Sequence, residues 1–287
     1  MSDQGIKVKK WPELNRPFLI LGFDGWGNVL NIARGTAAYL IQQPNAQFFA
    51  CLDSDTFYRY DQTRPTIKIS NGVLQQFHPP AGDFFAVRCD GNGHDLIILE
   101  ADEPNLRWFQ FTEELFAFCE KMQVETVITL GSMYDSVLPT DRIVSATATD
   151  KAILDKLHSR SVKPINYHGP GAIHSIIHAL AVQKNFSYLS LWCHCPYYLH
   201  GVTHFGFVAH LIFLLGYLSN IVIDTDDLDI KWNELKQQIK DVIEEDPELQ
   251  DTIDELRKMK VKGSLANQKT YTDKDAKVIN LNDFINP

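Results

Sequence analysis

Over the first 220 residues, short apolar runs of strand length alternate with segments of helical periodicity. The spacing predicts strands at Phe18 to Phe23, Gln47 to Leu52, Thr66 to Ser70, Asp83 to Arg88, Asp95 to Leu99, Val124 to Leu130, Ile143 to Ala148 and Tyr188 to Cys193. Helices are expected at Asn28 to Gln42, Leu106 to Met122, Asp150 to His158, Gly171 to Lys184 and His204 to Leu218. Continuous apolar stretches such as Val127, Ile128 and Leu130 suit strands covered on both faces, whereas Thr66 to Arg88 reads as an antiparallel excursion. The pattern predicts a three-layer α/β/α sandwich with a mixed sheet, formed by a core domain over residues 1–220.

The pattern changes near residue 221. Ile221 to Lys260 carries 13 acids and 6 bases, a local charge of 6 − 13 = −7. Leu228, Trp232, Leu235, Ile239 and Val242 are spaced for one helical stripe. Asp246-Pro247 then reads as a cap and first turn of a second helix bearing Leu249, Ile253 and Leu256. Residues 221–262 thus form an acidic helical hairpin with one apolar seam. That seam either folds back onto the core, the preferred reading, or offers a docking surface to another protein. Residues 263–287 are expected to be an extended, mobile tail. The uncharged run Phe205 to Ile223 is nominally long enough to cross a bilayer, but it lacks flanking basic clusters and reads as a buried core helix, so no membrane is expected as a partner.

Composition narrows the function classes. The chain has 287 residues, 45% hydrophobic and 11% aromatic, enough for a sizeable core. Its 27 bases against 36 acids leave a net charge of −9, so no nucleic-acid partner is expected. No signal-peptide stretch precedes Phe18, and the five scattered cysteines suit a reducing cytoplasm.

Candidate chemistry is sparse. Gly25-Trp26-Gly27 between a strand and a helix could approach an anion, and Asp53 ends the next strand where a ribose-binding acid would sit, yet Leu30 fills a position that dinucleotide turns keep small. Glu100, Asp102 and Glu103 cluster beyond a strand end, where an acid pair could do acid/base work or simply favour a helix start. His174 with His178, or His200 with His204, have the helical spacing for one metal, but no Cys-x-x-Cys or His-Glu-x-x-His accompanies them. There is no Gly-x-Ser-x-Gly elbow and no phosphate-binding Walker loop. No catalytic residue, metal site or cofactor is assigned on these grounds.

In order, Gly22-Phe23-Asp24-Gly25-Trp26-Gly27-Asn28, Thr63-Arg64-Pro65, Glu103-Pro104 with Trp108, Thr129-Leu130-Gly131 and Pro139-Thr140 with Arg142 resemble the proteasome assembly chaperone 2 family. Tyr167-His168-Gly169-Pro170, Leu191-Trp192 and Pro196 with Tyr198 continue the resemblance, which covers residues 18 to 260 and includes the acidic hairpin. It implies a fold similar to nucleoside phosphorylases and related hydrolases without their catalytic groups, and homo-oligomers, often trimers. The chain departs from the family at Gly169-Pro170-Gly171-Ala172 and at Pro196-Tyr197-Tyr198. It ends Ile285-Asn286-Pro287, unlike archaeal members that dock on the proteasome, so docking through the C-terminus is not expected.

The favoured expectation is a non-catalytic, homo-oligomeric assembly-chaperone-like or scaffold protein, with the acidic hairpin as a further contact surface. The alternative is a small-molecule binder of nucleoside or nucleotide type, or a hydrolase/phosphorylase-like enzyme using a strand-end cleft. That cleft would comprise Gly25, Trp26, Gly27, Glu103, Arg142, Tyr167, Gly169, Pro170 and Gly171, with Arg64, Trp108, Gly131 and Tyr198 added by the resemblance. Arg142 and Glu103 are expected to meet, as a clamp between two loops. The helix after His204, apolar nearly all round, is expected to be covered partly by a second subunit.

Overall fold

The computed structural model describes residues 5–89, 93–261 and 279–280. Its strands are β1 (Ile6–Val8), β2 (Phe18–Asp24), β3 (Ala46–Leu52), β4 (Thr66–Ser70), β5 (Val73–His78), β6 (Gly82–Val87), β7 (Leu96–Asp102), β8 (Thr126–Asp135), β9 (Val144–Ala148), β10 (Lys163–Pro164), β11 (Tyr188–Pro196), β12 (Leu199–His200) and β13 (Ile279–Asn280). Its helices are α1 (Ile32–Ile41), α2 (Ser54–Phe57), α3 (Trp108–Met122), α4 (Lys151–His158), α5 (Ile173–Lys184), α6 (Phe205–Ser219), α7 (Asp226–Glu245) and α8 (Pro247–Val261). Among the described residues, nine strands form one sheet in the order β1-β3-β6-β7-β2-β8-β11-β9-β10. Its centre is parallel, with β2 between β7 and β8, and β11 beside β8. Its flanks turn antiparallel at β6, β3 and β1, and again where β9 meets β11.

Central strands buried on both faces explain the unbroken apolar runs. On β2, Phe18 and Ile20 enter one core with α1 and α6, while Leu19, Leu21 and Phe23 enter the opposite core with α3 and α5. The architecture is the expected three-layer α/β/α sandwich. Helix ends follow local chemistry: Asp150 caps α4 by accepting from the Ala152 N–H, while Asn185 and Asn220 end α5 and α6 in the left-handed conformation.

The apolar seam of the hairpin folds back. Leu228, Trp232, Leu235, Ile239 and Val242 of α7, with Leu249, Ile253 and Leu256 of α8, are buried in the same core as Phe207, Leu211 and Leu214 of α6. Asp246 joins the two helices and accepts from the Glu248 and Leu249 N–H groups. The seam therefore packs onto the core, and α7 supplies cover to α6 from within the chain. The exposed Phe213 and the partly exposed Tyr217 of α6 lie under the Arg160 guanidinium. No helix among the described residues is long and apolar enough to cross a membrane. The expected mobile tail falls outside the described residues except Ile279–Asn280, which pairs in parallel with β12. Ile285 to Pro287 lies outside them as well.

Three strands run three or more residues past their expected ends: β7 to Asp102, β8 to Asp135 and β11 to Pro196. The antiparallel excursion resolves into β4 and β5, a two-stranded hairpin apart from the main sheet and exposed along its whole length, and β6, which joins the main sheet antiparallel to β3 and β7.

Candidate functional site

Alternation along β11 sends Leu189, Leu191, Cys193 and Cys195 into the core with α6, leaving Tyr188, Ser190, Trp192 and His194 on the face toward α5. On that face opens a cavity of about 480 Å³. Tyr188, Ser190 and Trp192 of β11, Thr147 of β9 and Met133 of β8 line it from the sheet, and His174, Ser175, His178 and Val182 from α5. Trp26, Ile165, Tyr167, Pro170 and Gly171 contribute from loops. None of the residues lining the cavity carries a formal charge at neutral pH.

Close packing of glycine against aromatic rings shapes this space. Gly131 pairs with Trp192 in the ladder, and a Cβ there would sit 2.8 Å from the indole. Gly25, at φ +129°, presses against Glu103, whose Oε1 accepts from the Ile173 N–H at 2.9 Å at the start of α5. The Tyr167 hydroxyl donates to the Pro170 carbonyl at 2.8 Å and so folds the ring over Gly169.

His174 is fully buried. Its Nε2 lies 2.9 Å from the Leu130 carbonyl and must donate to it, which leaves Nδ1 as a bare acceptor without a hydrogen-bond partner. Burial pushes its pKa down to about 4, so the ring is neutral near pH 7. His178, one turn on, stacks on Tyr188 at 4.8 Å and meets Thr147 Oγ1 at 3.4 Å. Burial lowers its pKa too. The Tyr188 hydroxyl is fixed by Thr129 Oγ1 at 2.7 Å and the His174 carbonyl at 3.1 Å.

Beside the cavity, the extended ends of β8 and β11 with β9 create a chain of polar contacts. Ser145 Oγ is 2.8 Å from His194 Nε2, and His194 Nδ1 is 2.7 Å from Asp135 Oδ2. Burial works against the Asp135 charge, yet hydrogen bonds from His194 and the Ser136 N–H hold its pKa below the usual range.

The structure gathers Trp26, Gly27, Gly131, Tyr167, Gly169, Pro170 and Gly171 at or against the cavity, with Gly25 and Glu103 behind it. It does not bring in four other expected residues. Arg64 is exposed at the entry to the β4–β5 hairpin. Trp108 turns back to donate to the Pro104 carbonyl. Tyr198 is buried in the α6-side core, donating to the Val137 carbonyl at 2.9 Å. Arg142 lies with its guanidinium 5.8 Å from the Trp232 ring centroid, because the β8–β9 connection runs toward the helical hairpin. The expected Arg142–Glu103 clamp is therefore corrected: Glu103 caps α5, and Arg142 covers α7.

Other candidate chemistry is absorbed structurally. Arg34 bonds Glu100 at 2.9 Å, Asp24 at 3.0 Å and Asp102 at 3.4 Å, which ties the acid cluster to one cation. Leu30 and Asn31 adopt positive φ within a single 3-10 turn, Val29–Asn31, and α1 begins only at Ile32, so the Gly25–Gly27 turn does not open an α-helix as a dinucleotide turn does. Asp53 caps α2 and pairs with Lys7. His204 caps α6 rather than sharing a helix face with His200, which bonds the Tyr134 hydroxyl. Among the described residues, no group of three or more His, Cys, Asp and Glu is placed to hold a metal.

The PAC2 family model matches residues 19–243. No curated protein matches significantly. Among solved structures, a Corynebacterium glutamicum protein of unknown function superposes with a TM-score of 0.84 at 19% identity, covering 93% of this chain and 100% of its own. A PAC2 family protein from Streptomyces avermitilis gives 0.73 at 24% identity, covering 83% and 99%. The archaeal proteasome activator PbaB from Pyrococcus furiosus gives 0.65 at 19% identity, covering 83% and 97%. At these identities the likeness is one of fold.

Proposed function

The chain belongs to the PAC2 family, and on that premise we propose that it is a homo-oligomeric, assembly-chaperone-like protein, a trimer, whose work is done by binding other protein chains. The chaperone reading draws on relatives of the same fold, which include an archaeal proteasome activator and an archaeal homologue of a proteasome-assembly chaperone. The odd number of cysteines, five scattered along the chain, supports a cytoplasmic setting.

The observation that carries the oligomer is the β4–β5 hairpin. Ile67 pairs with Phe77, and Ile69 with Leu74, so four apolar side chains share one face, each between 56% and 58% exposed. An isolated two-stranded ribbon is marginal in water, and such a face gains stability when covered. A second copy of the chain is the proposed cover. The acidic outer face of α7 and α8 is then left for a basic partner.

Light scattering on the full chain tests this reading. The expected mass is about three times the 32.7 kDa of one chain, falling to one chain in the variant Ile67→Asp/Phe77→Asp with unchanged circular dichroism. A wild-type monomer at micromolar concentration overturns it.

A second reading, that the cavity holds a small molecule, is favoured by its volume of about 480 Å³ and its aromatic, uncharged lining. The uncharged lining suits a neutral ligand, a nucleoside rather than a nucleotide. A melting screen with nucleosides and nucleotides separates the two. No shift with any nucleoside removes this reading.

A further inference from the structure

The contacts among Ser145, His194 and Asp135 join three adjacent strands at the C-terminal ends of β8 and β11, the edge where α/β sheets carry their sites. Asp135 is an acceptor only, so His194 Nδ1 bears the proton given to it and Nε2 presents a lone pair to the Ser145 hydroxyl. That is the tautomer and the order of contacts by which a serine is activated, and such a relay is recognised by geometry rather than by sequence order. We propose that Ser145 is a nucleophile, with His194 as its general base and Asp135 as the residue that positions the imidazole, and that it accepts acyl groups from carboxylic esters with an apolar acyl chain.

The surroundings select that class. Trp192, the ladder partner of Ser145, and Thr147, two residues along the same face, both line the cavity, as does Met133, the ladder partner of His194. The serine is only 4% exposed and lies behind the lining rather than in it, so the approach to Oγ that the proposal requires runs from the cavity past Trp192 and Thr147, and the uncharged walls of that cavity suit an apolar chain. In the step itself, Oγ bonds to the acyl carbon while its proton passes to His194 Nε2. The bond from that carbon to the alcohol oxygen breaks, and the alcohol leaves with the proton. Water then repeats the sequence, releasing the carboxylic acid and restoring the hydroxyl. The activity lies beyond partner binding and does not depend on it.

The test uses octyl fluorophosphonate on the full-length protein, read by intact mass and peptide mapping. Oγ displaces fluoride at phosphorus, leaving one stable adduct per chain on Ser145. We expect that adduct in the wild type, its absence in Ser145→Ala, and a rate lower by about a hundredfold or more in His194→Gln. Asp135→Asn serves as a second slow variant should His194→Gln melt early. The wild type remaining unlabelled at Ser145 with excess probe while it stays folded overturns the proposal. So does labelling of Ser145 at the wild-type rate in a folded His194→Gln or Asp135→Asn protein.

Discussion

Two histidines are held neutral inside the fold, and their cost on acidification can be worked out. His174 and His204 each have a pKa pushed down to about 4 by burial, against 6.5 for the free side chain. Between those values the unfolded chain binds protons that the folded chain refuses, so stability rises with pH and is lost as pH falls from 6.5 toward 4. The full gap corresponds to about 3 kcal/mol per histidine, and about 2 kcal/mol of that is already felt at pH 5. His178 and His210, also lowered by burial, act in the same direction. Asp24 and Asp135 titrate below the usual carboxylate pKa when folded, so their contributions are lost only in more acid solution, outside this window. Urea unfolding at pH 7 and pH 5 should therefore differ by about 4 kcal/mol or slightly more. His174→Gln, which keeps a donor for the Leu130 carbonyl, and His204→Asn, which keeps an acceptor for the Phe207 N–H, should each remove about half of that difference whatever they do to stability at pH 7. Equal stability of the wild type at the two pH values would refute the argument, and so would an undiminished difference in the double variant.

Arg34→Met should leave Asp24, Glu100 and Asp102 facing one another without their cation, costing about 1–3 kcal/mol once the partial exposure of the guanidinium is allowed for, measured by urea midpoint. Adding Glu100→Gln should restore part of that loss. Trp232→Ala removes a buried indole that stacks on His204 at 4.4 Å, and should cost about 3–5 kcal/mol while opening α7 to limited proteolysis. A loss below about 1 kcal/mol would mean that the hairpin does not depend on this packing.

Much of the fold was legible because burial imposes a pattern. Strands β2, β3, β7, β8 and β11 each carry apolar residues where the sheet is covered, and the α7 seam shows its period over five residues. Short edge strands carry no such signal: β1 has three residues, β10 and β12 two each, and the hairpin strand β5 is wholly exposed. Arg142 misled for a different reason. Its neighbours along the chain say nothing about whether the β8–β9 connection turns toward α5 or toward α7, and the ring it covers lies ninety residues further on.

The errors at strand ends have a common physical origin that bears on function. Sequence patterning stops a strand where apolar residues give way to polar ones, which places the ends of β7, β8 and β11 at Leu99, Leu130 and Cys193. The ladders continue because the polar side chains beyond those points are partnered: Glu100 and Asp102 by Arg34, Asp135 by His194, and His194 by Ser145. Leaving a polar group buried and unsatisfied is costly, so a ladder that outruns its apolar sequence marks where such groups have converged from different strands and found partners. Two such places occur at the strand ends. In the first, one arginine meets three carboxylates and its geometry is that of an ion-pair network. In the second, an imidazole nitrogen oriented by a carboxylate faces a hydroxyl beside an uncharged cavity, and that arrangement has chemistry available to it.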